Sequence, residues 1–143
     1  MRKLFPPVFL LLAACNEQVS ETYATWSEAE QAGAIERGWI PAFVPPSARR
    51  IRESHNLDTN RQVLRFTVRP SDVSAMVEGL RTVSIENERG AAELASAHGF
   101  GAASEAYVVC SNPLNGALVV ERESGLALYT TAVTWAGDEC SRR

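Results

Sequence analysis

The β-rich pattern in the last third of the chain constrains the fold more than any other feature. Three segments there are rich in the strand-favouring residues Val, Leu, Tyr and Thr: 106–110, 117–122 and 126–134. An Asn-Gly pair at 115–116 is a strong hairpin signal between the first two segments, and residues 123–125 supply a turn before the third. The pattern predicts an antiparallel meander of three strands.

A second pair of strands is predicted near 48–54 and 62–68. In the later segment Leu64, Phe66 and Val68 alternate with polar residues, which is the period of a half-buried strand. The chain is therefore predicted to be α+β. We expect an antiparallel sheet of about five strands, made of the N-terminal hairpin plus the C-terminal meander, with two or three short helices packed on it.

The first helix has sequence signals at both ends. Ser27 and Glu30 have the spacing of a capping box, and Gly38 is the kind of residue that ends a helix in the left-handed conformation. The proline-rich residues 39–46 cannot continue the helix, because proline lacks the backbone N–H. They predict an extended segment that lies across the core.

Two further helices are predicted. Pro70 opens one with an apolar stripe over residues 73–80. The other covers residues 88–98 and contains Gly90, which costs about 1 kcal/mol relative to alanine inside a helix. Residues 81–104 as a whole have the weakest pattern in the chain.

The first 15 residues have the form of an export signal: two basic residues, a short apolar run and small residues before Cys15. The tetrapeptide at 12–15, Leu-Ala-Ala-Cys, resembles the lipobox of bacterial lipoproteins. The resemblance implies that the Cys15 thiol carries diacylglycerol and that the chain is cut just before it. The alternatives are an ordinary signal with a chance cysteine, or a cytosolic protein with an apolar start.

On this basis the chain divides into three parts. Residues 1–14 are a signal peptide, residues 15–25 are the lipidated cysteine with a polar tether, and residues 26–143 are one α+β domain. The predicted location is a bacterial membrane, with the domain in the periplasm or at the cell surface. Asn16 stands where aspartate would signal inner-membrane retention, so the outer membrane is favoured if the cell has one.

The other two cysteines, Cys110 and Cys140, form an even pair in an exported chain. A disulfide between them is the main prediction, and free buried thiols are the alternative. Neither lies in a Cys-x-x-Cys motif, so no metal is predicted. No cofactor is implied by any motif.

Charge is unevenly distributed along the chain. Without the leader, 12 basic residues stand against 17 acidic ones, a net charge of −5, which argues against general nucleic-acid binding. Residues 49–69 nevertheless hold six arginines against two acids. Four of the six are predicted to share the outward face of the hairpin: Arg50, Arg52, Arg65 and Arg69. They are either solvated charges or an anion-binding patch for a lipid headgroup, a cell-wall polymer or an acidic envelope protein.

The segment from His55 to Asn60 is dense in side chains that bond their own backbone. One interpretation is a well-bonded turn with His55 at the strand end. The other is a small polar site made by His55, Asp58 and Asn60. A catalytic role for His55 and Asp58 would also need a nucleophile, which no motif in the chain identifies.

A family resemblance rests on four segments: Gly38–Pro41, Pro45–Ala48, His55–Asn60 and Leu64–Phe66. Together they resemble small bacterial lipoproteins with a YbbD-like head domain, over roughly residues 26–68. The resemblance implies an envelope domain without an assigned activity and offers no catalytic residues. The leading hypothesis is a membrane-anchored, non-enzymatic binding or structural module. The alternative is a small envelope hydrolase that uses His55 and Asp58.

Overall fold

The computed structural model describes residues 17–111 and 114–142. Cys15, on which the lipid-anchor prediction depends, lies outside the described residues. Within them the chain forms one antiparallel sheet of seven strands, in the order β1-β2-β3-β7-β6-β5-β4. The strands are β1 Gln18–Thr25, β2 Arg49–Asn56, β3 Gln62–Thr67, β4 Arg81–Thr82, β5 Glu105–Val109, β6 Gly116–Glu121 and β7 Leu126–Thr130.

Four α-helices and a 3₁₀ turn at Pro70–Asp72 join the strands in the described part of the chain. The helices are α1 Trp26–Gln31, α2 Val73–Val77, α3 Glu88–Ala97 and α4 Trp135–Ser141. The predicted α+β class with an antiparallel sheet is confirmed. The sheet has two more strands and the chain one more helix than expected.

The sheet has two different faces. One packs against α2 and the irregular chain between α1 and β2, around a core that includes Phe66, Leu118 and Tyr129. The other is covered over the C-terminal strands by α3 and Phe100, which pack on Val119 and Leu128. Along β1 and β2 the residues on this second face are exposed or half-buried.

The prediction of a tether up to residue 25 was wrong, because residues 18–25 form the edge strand β1. The strand pairs with β2, with Val19 opposite His55 and Tyr23 opposite Ile51. Its polar appearance comes from its position, since an edge strand is solvated on one face. Alternate residues of β1 point inward, as in any strand, but one of these inward residues is Glu21. The apolar period of the strand is therefore interrupted in the sequence.

The first helix is shorter than predicted and starts earlier. Thr25 is the N-cap and accepts a hydrogen bond from the Glu28 N–H at 3.2 Å. The Glu28 carboxylate in turn accepts from the Ala24 N–H at 2.8 Å. The capping box therefore uses Thr25 and Glu28 rather than Ser27 and Glu30. The helix ends at Gln31, and the following residues turn repeatedly instead of extending across the core, although Ile40 and Val44 are buried as expected.

The second and third predicted helices both form. Val73, Met76 and Val77 are buried on α2, as the apolar stripe predicts. In α3, Gly90 lies under the Trp135 ring, and a Cβ atom there would stand 3.1 Å from the indole Cδ1. Close packing against α4 therefore accounts for this helix-interior glycine.

The C-terminal meander is confirmed, but its first turn is not the tight one predicted. Val109 pairs with Gly116, so six residues connect β5 to β6. Gly116 is inside the strand, where a Cβ atom would come within 2.6 Å of the Tyr129 ring. Glycine is required here by a close approach between neighbouring strands and not by the turn.

The last predicted strand ends early, and α4 follows it. β7 ends at Thr130, and the helix begins at Trp135. Cys140 on α4 lies with its Sγ 2.08 Å from the Sγ of Cys110, the distance of a disulfide bond. The predicted cysteine pair is therefore present. It joins the end of β5 to the C-terminal helix rather than to the last strand.

Candidate functional site

A buried acid and base lie side by side on the inward face of β2. The side chains of Glu53 and His55 are two residues apart and so point to the same face of the strand. His55 Nδ1 is 2.8 and 2.9 Å from the two carboxylate oxygens of Glu53. Glu53 is 2% exposed and His55 3% exposed. The carboxylate is thus removed from water and depends on His55 for compensation.

The Trp39 ring covers the histidine. The two ring centroids are 3.5 Å apart and the planes differ by 9°, a stacked arrangement. Trp39 comes from the irregular chain between α1 and β2, so this segment closes the pair off from solvent. Burial raises the pKa of the Glu53 carboxyl, although the hydrogen bond to His55 acts in the opposite direction.

The polar network continues onto β1. Glu21 is the register partner of Glu53, and it accepts a hydrogen bond from the Tyr23 hydroxyl. Arg37 Nη2 lies 3.7 Å from a Glu21 oxygen. Burial, followed by the bond to Glu21, raises the pKa of Tyr23 to about 12. Two glutamates therefore sit opposite each other, one near Arg37 and the other hydrogen-bonded to His55.

Sequence reasoning missed Glu53 and Trp39 as partners of His55. The signal for Glu53 was present, because residues i and i+2 of a strand share a face and Ile51 continues the same row. Trp39 carries no such local signal, since it reaches His55 through the tertiary fold.

The polar site predicted from His55, Asp58 and Asn60 does not form. His55 is buried against Glu53, whereas Asp58 is exposed at the turn. In the part of the chain that the structure describes, no hydrogen bond or ion pair joins His55 to Asp58. Asn60 adopts a left-handed φ of 55°.

The interpretation of the segment as a bonded turn is supported instead. The Asn56 Oδ1 accepts hydrogen bonds from the Asp58 N–H at 3.1 Å and the Thr59 N–H at 2.8 Å. The Thr59 hydroxyl donates to the same oxygen at 2.9 Å. One amide side chain thus holds the whole tip of the hairpin.

A cleft of about 420 Å³ opens beside this cluster. Its apolar wall includes Trp39 and Tyr129, and its polar groups include Arg37, Asn60 and Gln62. Among the described residues, the buried Gln62 Oε1 has no hydrogen-bond partner. His55 does not line the cleft. A catalytic histidine would need access to a concave site, so the geometry gives the hydrolase hypothesis no support.

The four arginines of the predicted patch fall into three different environments. Arg50 and Arg52 are exposed on β2, and the Arg50 Nε is 3.4 Å from the Thr67 hydroxyl. Arg65 faces Arg52 across the ladder but donates to the His98 carbonyl at 2.6 Å and lies over the Phe100 ring. Arg69 lies beyond β3 and pairs with Asp72 at 3.0 Å.

The patch is therefore smaller than predicted. Arg65 fixes the end of α3 to the sheet, and Arg69 is neutralised by its neighbour. Arg50 and Arg52 form no ion pair within the described residues. These two arginines are what remains available to an anionic partner.

A larger cleft, of about 740 Å³, lies between α3 and β5. Two of its charged groups already satisfy each other, because the Arg122 Nε is 2.9 and 2.8 Å from the two Glu105 oxygens. The Arg122 Nη2 is also 2.9 Å from the Tyr107 hydroxyl. The bond to Arg122 lowers the pKa of Glu105. This arrangement stabilises the surface and keeps Arg122 and Glu105 engaged with each other.

Two features are absent from the described residues. No group of three or more His, Cys, Asp or Glu side chains is placed to hold a metal ion. None of the helices in this part of the chain is both long and apolar enough to span a bilayer.

Comparison with known families gives a match to the N-terminal part of the described chain. Residues 17–67 match the model of a family described as the YbbD head domain. The matched span begins just before β1, ends with β3 and covers about a third of the chain. Comparisons with curated proteins and with solved structures gave no match.

The resemblance to a YbbD-like head domain is thus confirmed, and it extends further toward the N-terminus than the sequence motifs indicated. It includes β1, the strand that was taken for a tether. The matched span includes the buried Glu53–His55 pair, Trp39, and the exposed arginines Arg50 and Arg52.

Proposed function

We propose that this protein is an exported bacterial lipoprotein, anchored through lipid on Cys15, whose head-like sheet binds an anionic envelope partner without catalysing a reaction. The observation that carries the proposal is the short distance along the chain between Cys15 and the matched domain. The matched head domain begins at residue 17, two residues after the cysteine of the lipobox-like tetrapeptide. A leader that ends directly before a folded domain fits export and lipidation of that domain.

Other features support the same proposal. The pairing of Cys110 with Cys140 suits an oxidising compartment outside the cytoplasm. Two or more acyl chains hold a protein firmly on a membrane, whereas one gives marginal binding. Asn16 in place of aspartate favours the outer membrane in a cell that has one.

The binding surface we propose is the outward face of β2 at Arg50 and Arg52. Both are exposed, and guanidinium groups bind phosphate and carboxylate oxygens in bidentate geometry. A lipid headgroup, an anionic cell-wall polymer and an acidic envelope protein share this chemistry. The buried Glu53–His55 pair and Trp39 then have a structural role, holding β1 and β2 flat beneath the exposed arginines.

The anchor is tested by replacing the lipid acceptor. We expect Cys15→Ser to accumulate as the uncleaved precursor and to lose the mobility shift caused by the lipid, because serine has no thiol to alkylate. Metabolic labelling with a palmitate analogue and immunoblotting of fractionated cells would measure both. The control is Asn16→Ser, which changes the next residue and keeps the lipobox. Normal trimming of Cys15→Ser before residue 15, with the product still in the membrane fraction, would contradict the proposal.

The arginine pair is tested with unlipidated mature protein. We expect Arg50→Gln/Arg52→Gln to bind anionic liposomes or cell-wall fragments about 30-fold more weakly, since each arginine near an anionic surface contributes about 1 kcal/mol. Co-sedimentation at low and physiological salt would measure this. The liposome and cell-wall arms distinguish the two sources of anion. Arg69→Gln is the matched control, because Asp72 already neutralises that side chain. Equal binding by the double variant and the parent would remove Arg50 and Arg52 as the site.

A further inference from the structure

Leu57 is an exposed apolar residue at the tip of the β2–β3 hairpin. It is 56% exposed and is one of two large hydrophobic side chains exposed in the described ranges, the other being Ile85 at 79%. The Asn56 side chain holds the tip rigidly through its three hydrogen bonds. The leucine is therefore presented to solvent on a fixed turn.

The tip lies beside the start of the folded chain. The Leu57 N–H donates to the Glu17 carbonyl at 2.9 Å, and the next pair along the ladder is Asn56 with Gln18. Cys15 is two residues before Glu17. Almost no chain thus separates the proposed lipid acceptor from the strand end next to Leu57.

Chain geometry limits how far apart the two can be. Two residues span at most about 7 Å, and neighbouring strands put the Glu17 and Leu57 Cα atoms about 5 Å apart. The Leu57 Cα is therefore within about 12 Å of the Cys15 Cα. A lipidated cysteine sits at the bilayer surface, whose polar zone is about 5–8 Å thick on each side. Leu57 is therefore close enough to the anchor to reach that zone.

We infer that Leu57 inserts into the membrane interface next to the anchor and makes a second, apolar contact that orients the domain. This inference rests on the proposed lipid anchor. The partner is the lipid surface itself. A tether of ten residues would leave the domain free to turn, whereas two residues and a docked leucine fix the strand ends toward the bilayer.

The charges around the tip favour an apolar contact over an electrostatic one. Glu17 and Asp58 are exposed there, against exposed Arg61, so the tip has one more negative than positive charge. Anionic headgroups gain nothing from such a surface. Arg50, seven residues back along β2, is about 23 Å from Leu57 at the rise of a strand. The apolar contact at the tip is therefore separate from the surface at Arg50.

Tryptophan quenching on vesicles tests the contact. The mature chain is coupled through Cys15 to a maleimide lipid in phosphatidylcholine vesicles, which mimics the native thioether and leaves the disulfide intact. Leu57→Trp is compared with Ile85→Trp, using phosphatidylcholine brominated in the upper acyl chain. Ile85 is the matched control because it follows β4, at the opposite edge of the sheet from β1, about 29 Å away across six strand spacings. The emission of the parent, with its three tryptophans, is subtracted.

We expect the bromines to quench most of the emission added at position 57 and little of that added at 85. Including phosphatidylglycerol should not increase the effect. Equal quenching at the two positions, or quenching at 57 that requires the anionic lipid, would overturn the inference. Circular dichroism establishes that both variants are folded. Since the tether is chemical, failure here leaves the Cys15→Ser result in cells as a separate test of the anchor.

Discussion

Replacing His55 by phenylalanine is expected to destabilise the protein by about 3–5 kcal/mol at neutral pH, the cost of leaving a buried carboxyl without its partner. Phenylalanine keeps an aromatic ring against Trp39, so the stacking survives and the loss falls on Glu53. The carboxylate would then have no compensating group on its own strand, with Glu21 opposite it on β1. Urea unfolding followed by tryptophan fluorescence measures the change.

The matched comparison is the double variant Glu53→Leu/His55→Phe. It removes both polar side chains and fills the site with apolar groups of similar size. We therefore expect its free energy of unfolding to equal or exceed that of the parent. If His55→Phe were as stable as the double variant at neutral pH, Glu53 would have to be solvated in spite of its 2% exposure.

The stability difference between His55→Phe and the double variant should also depend on pH, with a definite sign. Burial raises the pKa of Glu53, and without His55 nothing on β2 opposes that rise. A carboxyl whose pKa is higher in the folded than in the unfolded state favours folding below the unfolded value, about 4.3, and loses that contribution as pH rises through the folded value. His55→Phe should therefore approach the double variant in stability at pH 4 and fall behind it toward pH 8. A constant difference between them over this range would contradict the assignment.

Removal of the disulfide is the second large effect. We expect Cys110→Ser/Cys140→Ser to lose about 3–4 kcal/mol, because the bridge spans 30 residues and restricts the unfolded chain accordingly. The loss should be concentrated at α4. Glu139 on that helix accepts from the Ser84 N–H at 3.1 Å and from Asn87 at 2.8 Å, and these bonds hold the helix over the loop before α3.

Thermal unfolding with and without reductant measures the contribution of the bridge. Reductant should lower the Tm of the parent to that of the serine variant and leave the variant itself unchanged. Hydrogen exchange should show faster exchange in α4 than in β6 of the variant. A loss below about 1 kcal/mol would mean that the reduced chain keeps α4 docked through Glu139 and its partners.

These two sites differ in how far the sequence predicted them. The cysteine pair was predicted from the number of cysteines. If one of the three is lipidated in an exported chain, the remaining two can form a disulfide. The meander followed from its strand-favouring composition and its turn residues. β3 followed from its period, since Leu64, Phe66 and Val68 alternate with polar residues. The acid–base pair did not, because a glutamate in a strand is expected on the solvated face and nothing local shows that Trp39 will cover it.

The sequence analysis did not predict β1 and α4, and each was missed for a physical reason. β1 has only Val19 and Tyr23 as clear inward apolar residues, because Glu21 stands between them and is satisfied by Tyr23 and Arg37. α4 follows a run of β-branched residues that extends the strand pattern past its true end at Thr130. Its helical position depends on burial of Ala136 and on the bridge at Cys140, both of which are tertiary.

The pairing of β3 with β7 also determines when the fold can be completed. Val63 lies opposite Thr130, so the row that joins the two halves of the sheet links residues separated by most of the domain. In a chain that emerges with its N-terminus first, β3 is available long before its partner β7. Contacts so distant in sequence make folding slow, because a long loop must close before they form. For a chain exported as we propose, translocation would therefore have time to finish before the sheet is complete.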